Sequence, residues 1–293
     1  MLILQKLEDM STLSSNEKVV AKYLISHQLE INKISINDIA KMTYTSPSTT
    51  VRLAKKLGYD GWKELKREIV DELKYINDHY QNIDPNFPFH KEDNETIISK
   101  NIGNLMSDSL YDTMNLLDIE IINKALKLLN NADTIYVYGI TNAIAVAYDF
   151  KYAMRTISKK VEIVENLDEF PYTVSYTTKK DVSLFISYSG ENKELLKFAN
   201  HLHRTHKPVI SITSIGENSL SSFSDVILHM CTREKLYSKI NNYTSKTSTF
   251  YLLNLLFSCL FSMNYQKNLE TKMNLSKQID IQRSSGLELL KED

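Results

Sequence analysis

The sequence predicts an α/β protein in two parts: an all-α N-terminal domain joined to a doubly wound, five-stranded parallel sheet. Three observations predict it. Helix-start signals recur at short intervals over the first ~75 residues, with no β-rich run among them. After Asp133, short apolar runs rich in β-branched residues alternate with helical stretches, the pattern of parallel strands joined by crossover helices. Between the two textures, Pro85 and Pro88 fall among Asn and Asp residues in a chain that has only 5 prolines, as in a connecting segment.

In chain order, Ser14-Ser15-Asn16-Glu17 is a capping box, in which Ser and the Glu three residues on satisfy each other's backbone N–H groups. Val19, Val20, Tyr23 and Leu24 follow at helical spacing. Ser35-Ile36-Asn37-Asp38 is a weaker box that opens a short helix through Ile39 and Ala40. Ser46-Pro47 opens a third helix, with Ser as N-cap and Pro at the first helical position, and Gly58 suits its end. Asp60 caps a fourth, through Trp62, Leu65, Ile69, Val70 and Leu73. The pattern fails over 75–94. The chain thus divides into residues 1–75, a linker at 76–96 and a second domain at 97–293.

Helical periodicity returns from Ile97 to about Leu129. Strands are expected at 134–138, 161–164, 182–187, 209–213 and 226–229, each mostly apolar on both faces, as a buried parallel strand requires. Helices are expected at 143–156, 193–205 and 219–223 between them, with 250–261 packing last.

Composition narrows the function. Lys and Arg number 35 against 36 Asp and Glu, a net charge of −1, which excludes a chain basic along its whole length but not a local basic patch. An apolar fraction of 42% is enough to bury true cores. Residues 1–10 contain no secretory h-region. The longest apolar run, 250–263, is broken by Asn254, Ser258 and Ser262 and reads as a buried helix rather than a membrane span. Cys231 and Cys259 have no metal-ligand spacing and read as reduced thiols of a cytoplasmic protein. No motif calls for a cofactor.

Residues 35–57 read as helix, short turn around Thr43, Tyr44 and Thr45, and helix. That is a helix-turn-helix, whose second helix enters the DNA major groove. Its exposed residues are expected to be Ser48, Thr49, Thr50, Arg52, Lys55 and Lys56, with Ser46 at its start. Arg52 suits guanine, and the hydroxyls suit bases or phosphates. Lys55, Lys56, Lys63, Lys66 and Arg67 are placed for phosphates. Over 41–67, Lys41 and these cations stand against Asp60 and Glu64, a net charge of +5, which supplies the salt-dependent part of DNA affinity.

In the second domain, the loops after the first and third strands are Gly139-Ile140-Thr141-Asn142-Ala143 and Ser187-Tyr188-Ser189-Gly190-Glu191-Asn192. In a sheet ordered two-one-three-four-five they flank the topological switch point and line one crevice. The second loop offers two hydroxyls, a glycine, an asparagine and a helix N-terminus, a set suited to an anion.

Taken together, the two halves resemble the RpiR/MurR family of bacterial transcriptional regulators, which join a helix-turn-helix domain to a sugar-isomerase (SIS) domain. The resemblance rests on 45–66, from Thr45-Ser46-Pro47-Ser48-Thr49-Thr50-Val51-Arg52 through Gly58-Tyr59-Asp60-Gly61-Trp62. It rests also on Ile186-Ser187-Tyr188-Ser189-Gly190-Glu191-Asn192, followed by Ile210-Ser211-Ile212-Thr213. It implies a regulator of sugar or amino-sugar metabolism that binds operator DNA as a homodimer or homotetramer and takes a sugar phosphate as effector. It implies phosphate-binding hydroxyls at Ser187 and Ser189, and ligand contacts at Gly139, Thr141, Asn142, Gly190 and Asn192. The chain departs from the family pattern at Thr141, Ala143 and Asn192, where glycine, serine and threonine are usual.

Two other readings stand beside this one: a phosphosugar isomerase of the same fold, and a DNA-binding regulator with a vestigial pocket. Neither a catalytic residue nor a metal ligand is assigned. His201, His203 and His206 read as a cation-tolerant helix end, and Glu162, Glu165, Asp168 and Glu169 as loop charge. Lys246 faces either the crevice or solvent, and Arg155 is a ligand or an interface residue.

Overall fold

The computed structural model describes residues 3–8, 13–27, 30–79, 83–166 and 168–279. The N-terminal part contains α1 (Ile3–Glu8), α2 (Ser15–Ser26), α3 (Ile36–Met42), α4 (Pro47–Lys56) and α5 (Trp62–His79). The local chemistry that starts them is visible. Ser14 donates its N–H to Glu17 Oε2 at 2.8 Å. At α3 the box is reciprocal: Asp38 N–H donates to Ser35 Oγ at 3.2 Å, and Ser35 N–H to Asp38 Oδ2 at 2.9 Å. Asp60 does not cap α5. Its own N–H donates to Glu64 Oε2, and the first turn closes on the Gly61 carbonyl.

One apolar cluster joins these helices through Leu7, Val20, Leu24, Ile39, Leu53 and Leu65, all fully buried. The helical pattern does not fail at Tyr75, because α5 continues to His79. The side chain of Leu73 lies outside the described residues.

The second part begins with α6 (Glu95–Asn115) and α7 (Ile119–Asn131), which break the single periodic stretch read from sequence at Leu116. Then come β1 (Ile135–Gly139), α8 (Asn142–Arg155), β2 (Val161–Val164), α9 (Phe170–Tyr176), β3 (Val182–Ser187), α10 (Lys193–Arg204), β4 (Val209–Thr213) and β5 (Val226–His229). The sheet is parallel, in the order β2-β1-β3-β4-β5. Helices α11 (Tyr243–Ser262) and α12 (Tyr265–Ile279) end the described chain.

Side chains alternate across the sheet, as period two requires. Ile135, Val137, Leu184 and Ile186 face a core shared with α7, α8 and α11. Tyr136, Tyr138 and Phe185 face the other core, with α9 and α10. There Tyr138 stacks on Phe185 at 4.7 Å and meets Phe170 edge-on at 5.2 Å. Each such fully buried ring or aliphatic chain contributes about 1.5–3 kcal/mol.

Three sequence expectations change. The segment expected as helix at 219–223 is a short 3-10 turn over Ser221–Phe223. Helix α9 was not expected. Helix α11 starts at Tyr243 rather than 250, because its first turns are built of Thr and Ser residues that mask an apolar pattern. Those hydroxyls turn inward and donate to carbonyls four residues back: Thr247 to Tyr243, Ser248 to Thr244, Thr249 to Ser245. Among the described residues no helix is long and apolar enough to cross a membrane.

A buried ionic cluster pins α6 to the segment after β5. Arg233 Nε lies 2.5 Å from Asp112 Oδ2, and the Cys231 thiol donates to the same oxygen at 3.4 Å. Asp108, one turn before Asp112, shares this environment, and burial pushes its carboxyl up to about 6, with Arg233 opposing and Asp112 adding to the rise. Between its ordinary value of 3.8 and about 6, the folded chain therefore holds a proton that the unfolded chain releases. Stability on this account falls as pH rises through that window and levels above it. Asp108→Asn removes the buried charge and is expected to stabilise the protein on the order of 1–2 kcal/mol at neutral pH. Urea denaturation as a function of pH checks this. The variant's advantage grows up to about pH 6 and is then constant; an advantage that shrinks as pH rises contradicts it.

Candidate functional site

Two surfaces of the protein carry concentrated polar chemistry. The first is on the N-terminal helices. The turn between α3 and α4 is held by Thr43, whose hydroxyl donates to the Ile39 carbonyl at 2.7 Å. Tyr44 occupies the left-handed region at φ 52° and is 98% exposed. Pro47 opens α4. Ser46 stands at the N-cap, but its hydroxyl bonds to Ser48 and Thr49 hydroxyls rather than to the helix backbone.

Helix α4 presents Ser48, Arg52, Lys55 and Lys56 to solvent, with Ser46 before them and Lys63 on α5. Thr49 and Thr50, expected among the exposed residues, are 1% and 0% exposed. They share the inward face with Leu53 and Ala54, because residues three and four positions apart lie on one side of a helix. Thr49 keeps an indirect role: its hydroxyl accepts from Arg52 at 3.4 Å.

The basic residues also divide. Lys56 pairs with buried Glu17 at 2.9 Å, Arg67 with Glu68 at 2.9 Å, and Lys66 donates to the Ile34 carbonyl at 2.9 Å. Arg52, Lys55 and Lys63 form no ion pair among the described residues, so their charge remains for an external anion. Tyr44 was not singled out from the sequence. Its signal is a bulky residue at the turn position between two helices, where a small one avoids strain.

The second surface is a cavity of about 270 Å³ at the carboxyl ends of β1 and β3. This is where the strand order reverses, the position at which open α/β sheets bind ligands. Its wall includes Thr141, Asn142 and Ala143 at the start of α8, and Ser187, Tyr188, Ser189 and Asn192 between β3 and α10. Leu236, Lys239, Asn242, Ser245 and Lys246 close it from the segment before α11 and its first turns. Asn192 caps α10: its Oδ1 accepts from the N–H groups of Glu194 and Leu195, both at 3.1 Å. That leaves its amide nitrogen as a donor. The Ser189 hydroxyl accepts from Glu191 N–H at 3.2 Å.

Two expected contacts do not line the cavity. At Gly190, φ is +65° and an added Cβ would lie 2.1 Å from the Asn218 side chain, so this glycine serves the turn and its packing. At Gly139 a Cβ would meet the Ala143 Cβ at 3.0 Å, so its bareness lets α8 approach the strand end. Thr141 lines the cavity but sits at φ 53° and ψ −112°, where a β-branched residue is strained. The sequence departure from glycine at this position is therefore a conformational cost as well as a chemical change.

Sequence reasoning missed the third wall. Its keystone is Glu234, whose side chain is fully buried. Glu234 Oε1 accepts from Thr244 N–H at 2.6 Å and Ser245 N–H at 3.1 Å, which satisfies the start of α11. Oε2 accepts from Ser245 Oγ and Lys239 Nζ, both at 2.9 Å. The Tyr188 hydroxyl donates to the Glu234 carbonyl and accepts from its N–H, both at 2.8 Å. Lys239 also lies 5.1 Å from the Tyr188 ring centroid. Lys246, left open from sequence, lines the cavity.

The other candidates lie elsewhere. Glu162 pairs with Lys151 at 3.4 Å, and neither it, Glu165, Asp168 nor Glu169 lines the cavity. Arg155 rests 5.4 Å from the Tyr152 ring.

Comparison with known proteins matches both surfaces to described domains. Residues 1–75 match the helix-turn-helix domain of the rpiR family, and residues 128–258 match the SIS domain. The uncharacterized HTH-type transcriptional regulator YbbH of Bacillus subtilis is 24% identical over 255 residues, 87% of this chain and 88% of that relative. The NanR protein of Vibrio vulnificus, solved in complex with ManNAc-6P, superposes with a TM-score of 0.60 at 23% identity, over 97% of this chain and 100% of that one. The sugar isomerase domain of an RpiR transcription factor from Sphaerobacter thermophilus superposes with a TM-score of 0.55 at 15% identity, over 61% of this chain and 98% of its own. At these identities the structural likenesses establish a shared fold.

The fit at Gly190 is testable by a double-mutant cycle. Gly190→Ala is expected to destabilise the protein by about 2–4 kcal/mol, through positive φ and the clash together. Asn218 cannot swing away freely, because it bonds to Ser221 and Thr213. Adding Asn218→Ala should recover about 1 kcal/mol or more of the loss, read by urea denaturation. Strictly additive losses would show that Asn218 is not the obstacle.

Proposed function

We propose that this chain, whose residues 1–75 match the helix-turn-helix domain of the rpiR family and whose residues 128–258 match the SIS domain, is a transcriptional regulator of sugar or amino-sugar metabolism whose cavity senses a sugar phosphate. In this reading α4 enters the major groove. Arg52 reads a base edge, Ser46 and Ser48 bond to bases or phosphates, and Lys55 and Lys63 contact phosphates, while Lys56 stays on Glu17. The protein acts as a homodimer or homotetramer, since paired heads match a two-fold operator. It works in the cytoplasm, where its Cys231 and Cys259 thiols stay free.

The observation that carries the effector reading is the donor character of the cavity. The polar groups in its wall are hydroxyls and amides at the N-termini of α8 and α10, faced by the ammonium groups of Lys239 and Lys246 from the α11 side. Such a set holds a phosphate. Ser187 and Ser189 donate their hydroxyls, Asn192 its amide nitrogen, and Thr141 and Asn142 complete the near side. Lys246 balances the dianion.

The same chemistry supports sensing rather than isomerisation. Moving a proton between sugar carbons requires a base at the reacting carbons. Two carboxylates beside lining residues are engaged: Glu191 accepts from Ser219 N–H and Oγ at 2.7 and 2.8 Å, and Glu234 is bound to α11. The names of the curated relatives support the same choice.

The test is fluorescence anisotropy with DNA from upstream of the protein's own gene, at two salt concentrations, with excess nonspecific competitor. Competitor-resistant binding that weakens with salt is expected, and binding no stronger than to competitor contradicts the DNA reading. Arg52→Ala should weaken binding by about 10- to 100-fold, and Lys55→Ala should lower the salt dependence by about one phosphate contact. A panel of sugar phosphates then probes the cavity. Ser187→Ala with Ser189→Ala should keep operator affinity within about threefold and lose the response to the effector. A variant that responds as the parent does would place the effector elsewhere.

A further inference from the structure

The segment between α5 and α6 is docked onto the wall of the cavity. Asn86, in this segment, is only 5% exposed. Its side-chain Oδ1 accepts from Lys235 N–H at 2.7 Å, and its backbone carbonyl accepts from Ile240 N–H at 2.9 Å. Asp84 fixes it from behind: its Oδ1 accepts from Asn86 N–H at 2.8 Å and from Asn86 Nδ2 at 2.9 Å. These amides, Asn86 N–H first, hold the Asp84 carboxyl below its usual range, so the turn is formed by a carboxylate. Two residues on, the Pro88 carbonyl accepts from Asn101 of α6 at 2.8 Å.

The two N–H groups that Asn86 engages bracket Leu236 and Lys239, both of which line the cavity. One residue before them is Glu234, bonded to Lys239 and to Tyr188 between the two candidate phosphate-binding serines. A continuous run of hydrogen bonds therefore leads from the Ser187–Ser189 loop, through Tyr188, Glu234 and the 235–240 loop, to Asn86. Beyond Asn86 the chain continues back toward α5 and the DNA-facing helices.

We propose that Asn86 is a positioning residue that couples the cavity to the segment joining the two domains, so that the 235–240 wall and residues 83–88 move as one unit. The effector arm of this proposal rests on the sugar-phosphate reading above; the coupling itself does not. An occupant that contacts Lys239 or Leu236 shifts the 235–240 loop, and the two bonds to Asn86 pass that shift to the connecting segment. Coupling of this kind is reciprocal, so loosening Asn86 must loosen the cavity wall even when the cavity is empty. A carboxamide suits the task, because one side chain takes the Asp84 acceptor with its nitrogen and the Lys235 donor with its oxygen.

Hydrogen exchange on the full chain, read peptide by peptide, tests this in two arms. In the first, without ligand, Asn86→Ala is compared with the parent protein. Exchange in 234–242 should rise by about tenfold or more, and exchange in 187–192, which never touches Asn86, should rise with it. Faster exchange at Lys235 and Ile240 alone, with 187–192 unchanged, would reduce Asn86 to a local contact and overturn the proposal. Asp84→Ala, which loosens the same turn without touching the 235–240 loop, guards against a folding defect and should give a weaker version of the same pattern. Unchanged 234–242 exchange in this second variant also counts against the coupling.

In the second arm, N-acetylmannosamine 6-phosphate and inorganic phosphate serve as probes. In the parent protein, protection should appear in 187–192 and 234–242 and extend to 83–90. In Asn86→Ala it should stop at the cavity. Protection that reaches 83–90 regardless of the substitution overturns the coupling. Silence of the parent's cavity toward both probes counts against the phosphate reading, while the first arm still decides the role of Asn86.

Discussion

One buried carboxylate, Glu234, organises the wall of the cavity at the carboxyl ends of β1 and β3. The side chain of Glu234 is closed off from solvent, and an isolated charge there would be costly. It is tolerated because Lys239, Ser245 and the first N–H groups of α11 all point at it. Each partner is fixed in return. The helix start is capped, Lys239 is drawn to the cavity wall, and Tyr188 is locked to the Glu234 backbone from the opposite side. Removing one partner of such a buried set costs on the order of 3–5 kcal/mol, so the irregular 230–242 segment has one low-energy arrangement. The cavity is preorganised by this constraint rather than by the loop's own propensity.

The sheet supplies the frame in which that constraint acts. Parallel strands buried on both faces must reverse their order once, and the reversal between β1 and β3 leaves two helix N-termini facing one crevice. Ser187 ends β3 beside Thr213, and Gly139 ends β1 beside Ile186, so hydroxyls and close-approaching backbone meet there through register alone. At the other end of the chain, α4 divides its residues with equal economy. Thr49, Thr50, Leu53 and Ala54 anchor it, which frees Ser48, Arg52 and Lys55 for an external partner.

How much of this was legible in the sequence follows from how local each feature is. The five strands could be read to within a residue, because a short two-sided apolar run between helical stretches has few other interpretations. The strand order and the two loops at the switch point followed from that reading. Thr49 and Thr50 were misread because hydroxyl residues on a basic helix look solvent-facing, although their spacing to Leu53 and Ala54 carried the opposite signal. The start of α11 was hidden for a related reason: a helix that buries Thr and Ser against its own carbonyls shows no apolar stripe. Glu234, Lys239 and Asn86 were not legible at all. Their partners lie far away in sequence or are backbone groups of a loop without periodicity, and no local pattern marks a residue whose role is set by such contacts.

The most direct measurement is a crystal structure of the full chain with the sugar phosphate that most raises its melting temperature. The account predicts phosphate oxygens within hydrogen-bond distance of the Ser187 and Ser189 hydroxyls and the Asn192 amide nitrogen. The sugar should extend toward Lys246 and the Leu236–Lys239 wall, with Glu234 still bonded to α11. A phosphate seated away from both serines, or a ligand bound only outside this cavity, would contradict it.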